Sequence, residues 1–300
     1  MHKFLRSVGF STYRKKRDIE KLLDELEKGN VRQCLELDED ENLCEIRAEV
    51  APGMGIVMVG EVEPDGHFRR EFYYPYLTAS DPSSTVDCSI QRHTEKETYA
   101  GLLDEFRVGI SLIFYLDNCF EYRCRRMGRL STKVEEVSLT GLAVDGKILL
   151  PLHKTRKQIE MAKVATKDRN HLLEAAKNGD ENAMETLTIE DMDMYSQISK
   201  RVMKEDLYSI VDSSFMPSGI ECDQYSVIGE IRKIEEKTNQ ITQEIVYDLT
   251  LECSDMIFHV GIAKKDLIGE PKIGRRFKGQ IWMQGVAKFA GSRNHAGEVG

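Results

Sequence analysis

The segment "RRFKGQIWMQG" places two cations and the chain's single tryptophan at alternate positions. In extended backbone Arg276, Lys278, Gln280, Trp282 and Gln284 share one face, and Arg275, Phe277, Gly279, Ile281 and Met283 share the other. A row of two cations, an amide and an indole could stack a planar group and neutralise a phosphate or carboxylate. The same row also suits the solvent face of an edge strand, where Arg and Lys stems cover the indole and discourage further pairing. A second polar cluster lies in "SIVDSSFMPSGIECDQY", residues 209–225, which offers Asp212, Glu221, Cys222 and Asp223. If extended, Glu221 and Asp223 present their carboxylates on one face, where each raises the other's pKa; that suits acid–base chemistry or a divalent cation. The alternative is a junction: Asp212 and Ser213 satisfy backbone donors, Pro217 and Gly219 make the turn, and Phe215 and Met216 plug a core.

Other chemistry is thinly represented. The sequence has no glycine-rich phosphate loop with its lysine, no HExxH, no nucleophile elbow and no CxxC. In "HTEKE", His93 and Glu97 are four apart, but the polar setting reads as solvated surface. Cys119 with Cys124, and Cys88 with His93, are separated by odd spacings that send side chains to opposite faces of a strand, and Cys253 and His259 sit in an apolar strand context. No cofactor and no metal site is expected from this set.

These candidates must be held by elements the hydrophobic periodicity defines. "RDIEKLLDELEKGN" places Ile19, Leu22, Leu23 and Leu26 at helical spacing, with Gly29 and Asn30 as a stop. "LCEIRAEV" alternates with period two, Cys44, Ile46, Ala48 and Val50 against Glu45, Arg47 and Glu49, which predicts a half-buried strand. Two strands are expected around Pro64-Asp65-Gly66, another at "TVDCSIQR", and a central strand, covered on both faces, at "RVGISLIFYLDN". "EEVSLTGLAVDGKILLPL" reads as a hairpin turning at Asp145-Gly146.

From His153 to about residue 204 the period becomes helical, with Ile159, Ala162, Ala165, Leu172, Leu173 and Ala176 on one side and a second helix capped by Thr188 and Asp191. Strands return in "YSVIGEIRKIEE", "TQEIVYDLTLECSDMIFHVGI" and "RRFKGQIWMQGVAKF". The expected fold is α+β: an N-terminal mixed α/β sheet domain (1–152), a helical linker or insertion (153–204), a C-terminal small β-sheet or barrel-like domain (205–290), and a mobile tail (291–300).

With 51 acidic against 42 basic residues the formal charge is −9, which disfavours bulk nucleic-acid or anionic-membrane binding. No stretch approaches the length of an apolar membrane span or a signal core, so a cytoplasmic protein is expected. Seven cysteines, an odd number spread through apolar contexts, read as reduced, mostly buried thiols.

The stretches "MHKFLRSVGFS", "GISLIFYLDN", "LTIEDMDMY", "FMPSGIECDQY" and "GEPKIGRRFKGQIWMQG" together resemble an uncharacterised family of cytoplasmic proteins, of about this chain's 300 residues, from Clostridium-type Firmicutes, classified as a domain of unknown function. The resemblance implies a cytoplasmic bacterial protein and transfers no activity, cofactor or catalytic residue. Three functions follow from the residues: a non-catalytic binding or scaffold protein whose partner is another protein; a small-anion or nucleotide binder using the 276–282 face; and a hydrolase-type enzyme using the acidic residues of the 212–223 connection.

Overall fold

A computed structural model describes residues 3–37, 42–92, 98–152 and 156–291. The "HTEKE" motif and the tail from 292 onward lie outside the described residues. A short 3-10 helix, Lys3–Val8, precedes α1 (Lys16–Gly29), whose Ile19, Leu22, Leu23 and Leu26 are all buried as their spacing requires. Four strands then form an antiparallel sheet in sequence order: β1 (Arg32–Glu36), β2 (Asn42–Ala51), β3 (Met54–Val62) and β4 (Phe68–Leu77). The β3–β4 turn carries Gly66 at φ 85°, and the Asp65 carboxylate accepts from the His67 amide.

β5 (Cys88–Arg92), β6 (Tyr99–Glu105) and β7 (Ile110–Leu116) lead into α2 (Cys119–Met127) and the long β8 (Val134–Leu149). The helices α3 (Arg156–Lys177) and α4 (Glu181–Val202) and the single turn α5 (Leu207–Ile210) follow. Six strands come next: β9 (Ser214–Pro217), β10 (Gln224–Thr238), β11 (Ile245–Cys253), β12 (Met256–Ala263), β13 (Leu267–Ile268) and β14 (Arg276–Phe289). The overall class is α+β, with an N-terminal sheet, central helices and a C-terminal strand-rich region.

The second sheet closes on itself. β10, β11 and β12 form an antiparallel meander, β12 pairs parallel with β8, β8 pairs antiparallel with β14, and β14 pairs back onto β10. Five strands thus make a small barrel, one of them drawn from before the helical segment, so α3 and α4 are an insertion between the barrel's first and second strands. Alternate side chains turn inward, among them Leu139, Val227, Leu249, Val260, Phe277 and Ile281, and join one core with β6, β7 and α2. Leu142, Val246 and Trp282 face outward into a second core against the four-stranded sheet, α1 and the 3-10 helix.

Four expectations are corrected. The Asp145-Gly146 hairpin is absent, because β8 runs straight through it along β14; a Cβ on Gly146 would fall 2.4 Å from the Phe277 ring, so this glycine serves close approach and not a turn. Helix α4 starts earlier than Thr188: Asp180 is its N-cap, accepting from the amides of Asn182 and Ala183, while the Thr188 hydroxyl bonds the Met184 carbonyl within the helix. The cysteines are not all thiols, since Cys34 and Cys44, directly opposed across β1 and β2, form a disulfide. Finally, Glu45 is not on a solvent face and Arg47 is only half-exposed: the β7–α2 corner packs against them.

Candidate functional site

The alternation expected along β14 is observed, but the face it defines is not open. Arg276, only 4% exposed, donates to the carbonyls of Leu150, Tyr208 and Val211. Burial lowers its pKa from the usual value, opposed by the charge of Asp212. Lys278 bonds the Tyr208 hydroxyl and lies 4.2 Å from that ring's centroid. Gln280 donates to Ser218, and the indole N–H of Trp282 donates to the Asp223 carboxylate at 2.7 Å. Trp282 itself is buried, stacked 5.4 Å from Phe4 and tilted against Tyr115 at 5.3 Å.

The two sequence candidates therefore meet, and they satisfy each other. Residues 208–223 lie as a strap across the outer wall of the barrel, and each polar side chain of the 276–282 row bonds to that strap, Arg276 to Leu150 as well. This corrects the picture of an exposed platform. It also corrects the acidic pair: residues 219–223 are bends and turns, not strand, so Glu221 stands exposed on the loop between β9 and β10 while Asp223 turns in to the indole. Asp212 is exposed and acts on Arg276 and Arg232 through its charge.

Two polar clusters that the sequence did not point to lie in the core between the barrel and the four-stranded sheet. In the first, Arg47 makes a two-pronged pair with Asp117 at 3.1 Å on each prong, and the Tyr74 hydroxyl donates to the Asp117 carbonyl. Glu45 sits 3.7 Å from the Arg47 guanidinium with one carboxylate oxygen that has no hydrogen-bond partner. Burial, with the Asp117 charge adding to it and Arg47 opposing, raises the Glu45 pKa to about 7. In the second cluster His259 Nδ1 is 2.8 Å from Asp248, whose other oxygen is 3.6 Å from Lys237, and the buried Nε2 is 3.7 Å from the exposed Asp81 carboxylate. Both clusters are packed at the joint between the two sheets.

The helical insertion has a different character. α3 and α4 run antiparallel, joined by Arg169 to Glu190 and Asp191. Ala183 and Leu187 of α4 are buried, yet Met184, Ile189, Met192, Tyr195 and Met203 are exposed, Met192 at 69%, Tyr195 at 76% and Met203 at 88%. A helix apolar on more than one side is built to be covered on more than one side.

A family model described as "Domain of unknown function, E. rectale Gene description (DUF3881)" matches residues 5–285. The chain belongs to the DUF3881 family. No curated protein and no solved structure matches the chain. The match reaches both sheets, the barrel and the helical insertion, and ends within β14.

Sequence reasoning missed the charge cluster of this DUF3881 chain because Glu45 and Arg47 occupy the polar phase of a strand that alternates as a half-buried one should. Asp117, buried at the end of the apolar run of β7, was the available signal: an acid closing the buried end of a strand needs a cation, and Arg47 is it.

Proposed function

We propose that this DUF3881 protein is a non-catalytic binding or scaffold protein of the bacterial cytoplasm, in Clostridium-type Firmicutes, that docks another protein chain on α4. The observation that carries the reading is the row of exposed Met192, Tyr195 and Met203 on a helix whose opposite side is already packed. Methionine and tyrosine suit such a surface, the first because its unbranched thioether adapts to a facing groove, the second because it buries a large ring at small entropic cost. The chain's own strap supports the same reading by taking up the cationic row that a small anion would otherwise meet. No helix among the described residues is long and apolar enough to cross a membrane. Solvent reaches Cys34 of the disulfide, so cellular reductants have access to that bond.

The test is a photo-crosslinking residue at position 195 in living cells, with the same residue at Arg69, exposed on the four-stranded sheet, as control. A discrete adduct of one mass from position 195 and none from position 69 is expected. Absence of any adduct at position 195 would overturn the reading.

A further inference from the structure

We propose that the chain docked on α4 is a second copy of the same protein, paired antiparallel through this helix. The inference rests on the partner-binding reading above and adds the identity of the partner. Met184, Thr188, Met192, Tyr195, Ser199 and Met203 follow one another at spacings of three and four, which lines them along one side of the helix. All six are exposed.

Asp191 and Glu190, in the middle of the helix, are paired with Arg169, and the unpaired charges toward its two ends are divided by position. Glu181 and Glu185 stand at the start of the helix, Lys200 in its last turn and Lys204 in the turn that follows it, all exposed and none with an ion-pair partner among the described residues. Arg201, by contrast, is already paired with Glu205. A two-fold axis perpendicular to α4, lying against its exposed stripe at the level of Met192 and Asp193, places Glu185 level with Lys200 of the second copy and Glu181 level with its Lys204, at both ends of the pair. Parallel pairing would set acid on acid and base on base. A uniformly acidic or basic partner would meet repulsion at one end of α4, whereas a second copy, run in reverse, carries the complementary gradient by construction. The contact is isologous, so it closes as a dimer.

Light scattering and sedimentation of the full chain at low ionic strength test this, with two charge-reversed variants, Glu181→Lys/Glu185→Lys and Lys200→Glu/Lys204→Glu. The unmodified protein is expected to dimerise, and each variant alone to dissociate about ten-fold more readily or worse, since both ends then carry like charges. An equimolar mixture of the two variants should recover a one-to-one dimer, because the reversed ends complement each other. These substitutions are on exposed positions, and unchanged melting of each variant separates lost docking from lost folding. A monomeric unmodified chain, or a mixture that fails to recover the dimer, overturns self-pairing. Likewise, a crosslink from position 195 to a different protein overturns self-pairing while leaving the partner-binding reading intact, and no crosslink at all removes both.

Discussion

Glu45→Gln should make the protein more stable at pH 8 while leaving it unchanged near pH 4.5. The carboxyl titrates at about 7 in the folded chain and near its ordinary value of 4.5 when unfolded, chiefly because burial disfavours the anion. Below both values the group is protonated in either state and contributes no difference. As pH rises from 4.5 to 7 the unfolded chain releases this proton and the folded chain keeps it, so the unfolded state binds fewer protons and stability falls with pH. At about 1.4 kcal/mol per pH unit, the loss across that window comes to about 3 kcal/mol. Glutamine keeps the shape of the protonated acid and never ionises, so the variant escapes the loss. Urea unfolding of both proteins from pH 4.5 to 8, at equal m-values, should show two stability curves that meet at the acid end and separate by about 3 kcal/mol at the alkaline end. If the variant is instead the weaker protein at pH 8, Glu45 is an ionised partner of Arg47 and the argument from burial fails.

Trp282→Ala should cost about 3–5 kcal/mol, the usual cavity penalty for a large buried ring, and the fluorescence of the native indole should be blue-shifted and resistant to aqueous quenchers. Arg276→Ala strands the carbonyls of Leu150, Tyr208 and Val211, so a loss of about 3 kcal/mol is expected, with amide exchange in the 208–223 strap accelerating before the barrel itself opens. Gly285→Ala should destabilise by about 1–3 kcal/mol, since its Cβ would lie 2.4 Å from the Phe114 ring in a sheet that has little room to give; calorimetry reads this directly. Reducing the Cys34–Cys44 bond, or replacing Cys34 with Ser, should lower stability by about 2–3 kcal/mol, measured as a drop in the urea midpoint that the reduced and substituted chains share.

Periodicity located most elements because each buries one recognisable side: the leucines of α1, the alternating Cys44, Ile46, Ala48 and Val50 of β2, and the meander broken at Asp255 all occupy the elements expected of them. It could not show what covers the other side. The row from Arg276 to Trp282 has the alternation of an edge strand, yet β14 is flanked by β8 and β10 and roofed by the strap, and no local pattern encodes a neighbour drawn from residues 208–223. Gly146 misled for a related reason: a glycine that yields space to a distant aromatic ring looks, in sequence, like a glycine that turns the chain. The cross-strand disulfide was hidden by the odd count of cysteines, which fixes only that one at least stays unpaired.

Because the barrel closes through β8, its assembly has a fixed order during synthesis. That strand is complete at Leu149, but its neighbours β12 and β14 are made only after the helical insertion, so at about 5–20 residues per second β8 waits roughly 5–30 s with unpaired edges. The helices can fold locally during this wait, and the entropy of closing the ring rises only with the logarithm of the intervening length, so the insertion adds delay more than instability. The hazard falls on the exposed backbone of β8, a long apolar strand with no lysine until position 147 to discourage intermolecular pairing. A chain stopped after α4 should therefore collect as aggregate. One in which 156–202 are replaced by a short flexible link should shorten the wait and fold with better yield, having lost the docking helix but kept the ring.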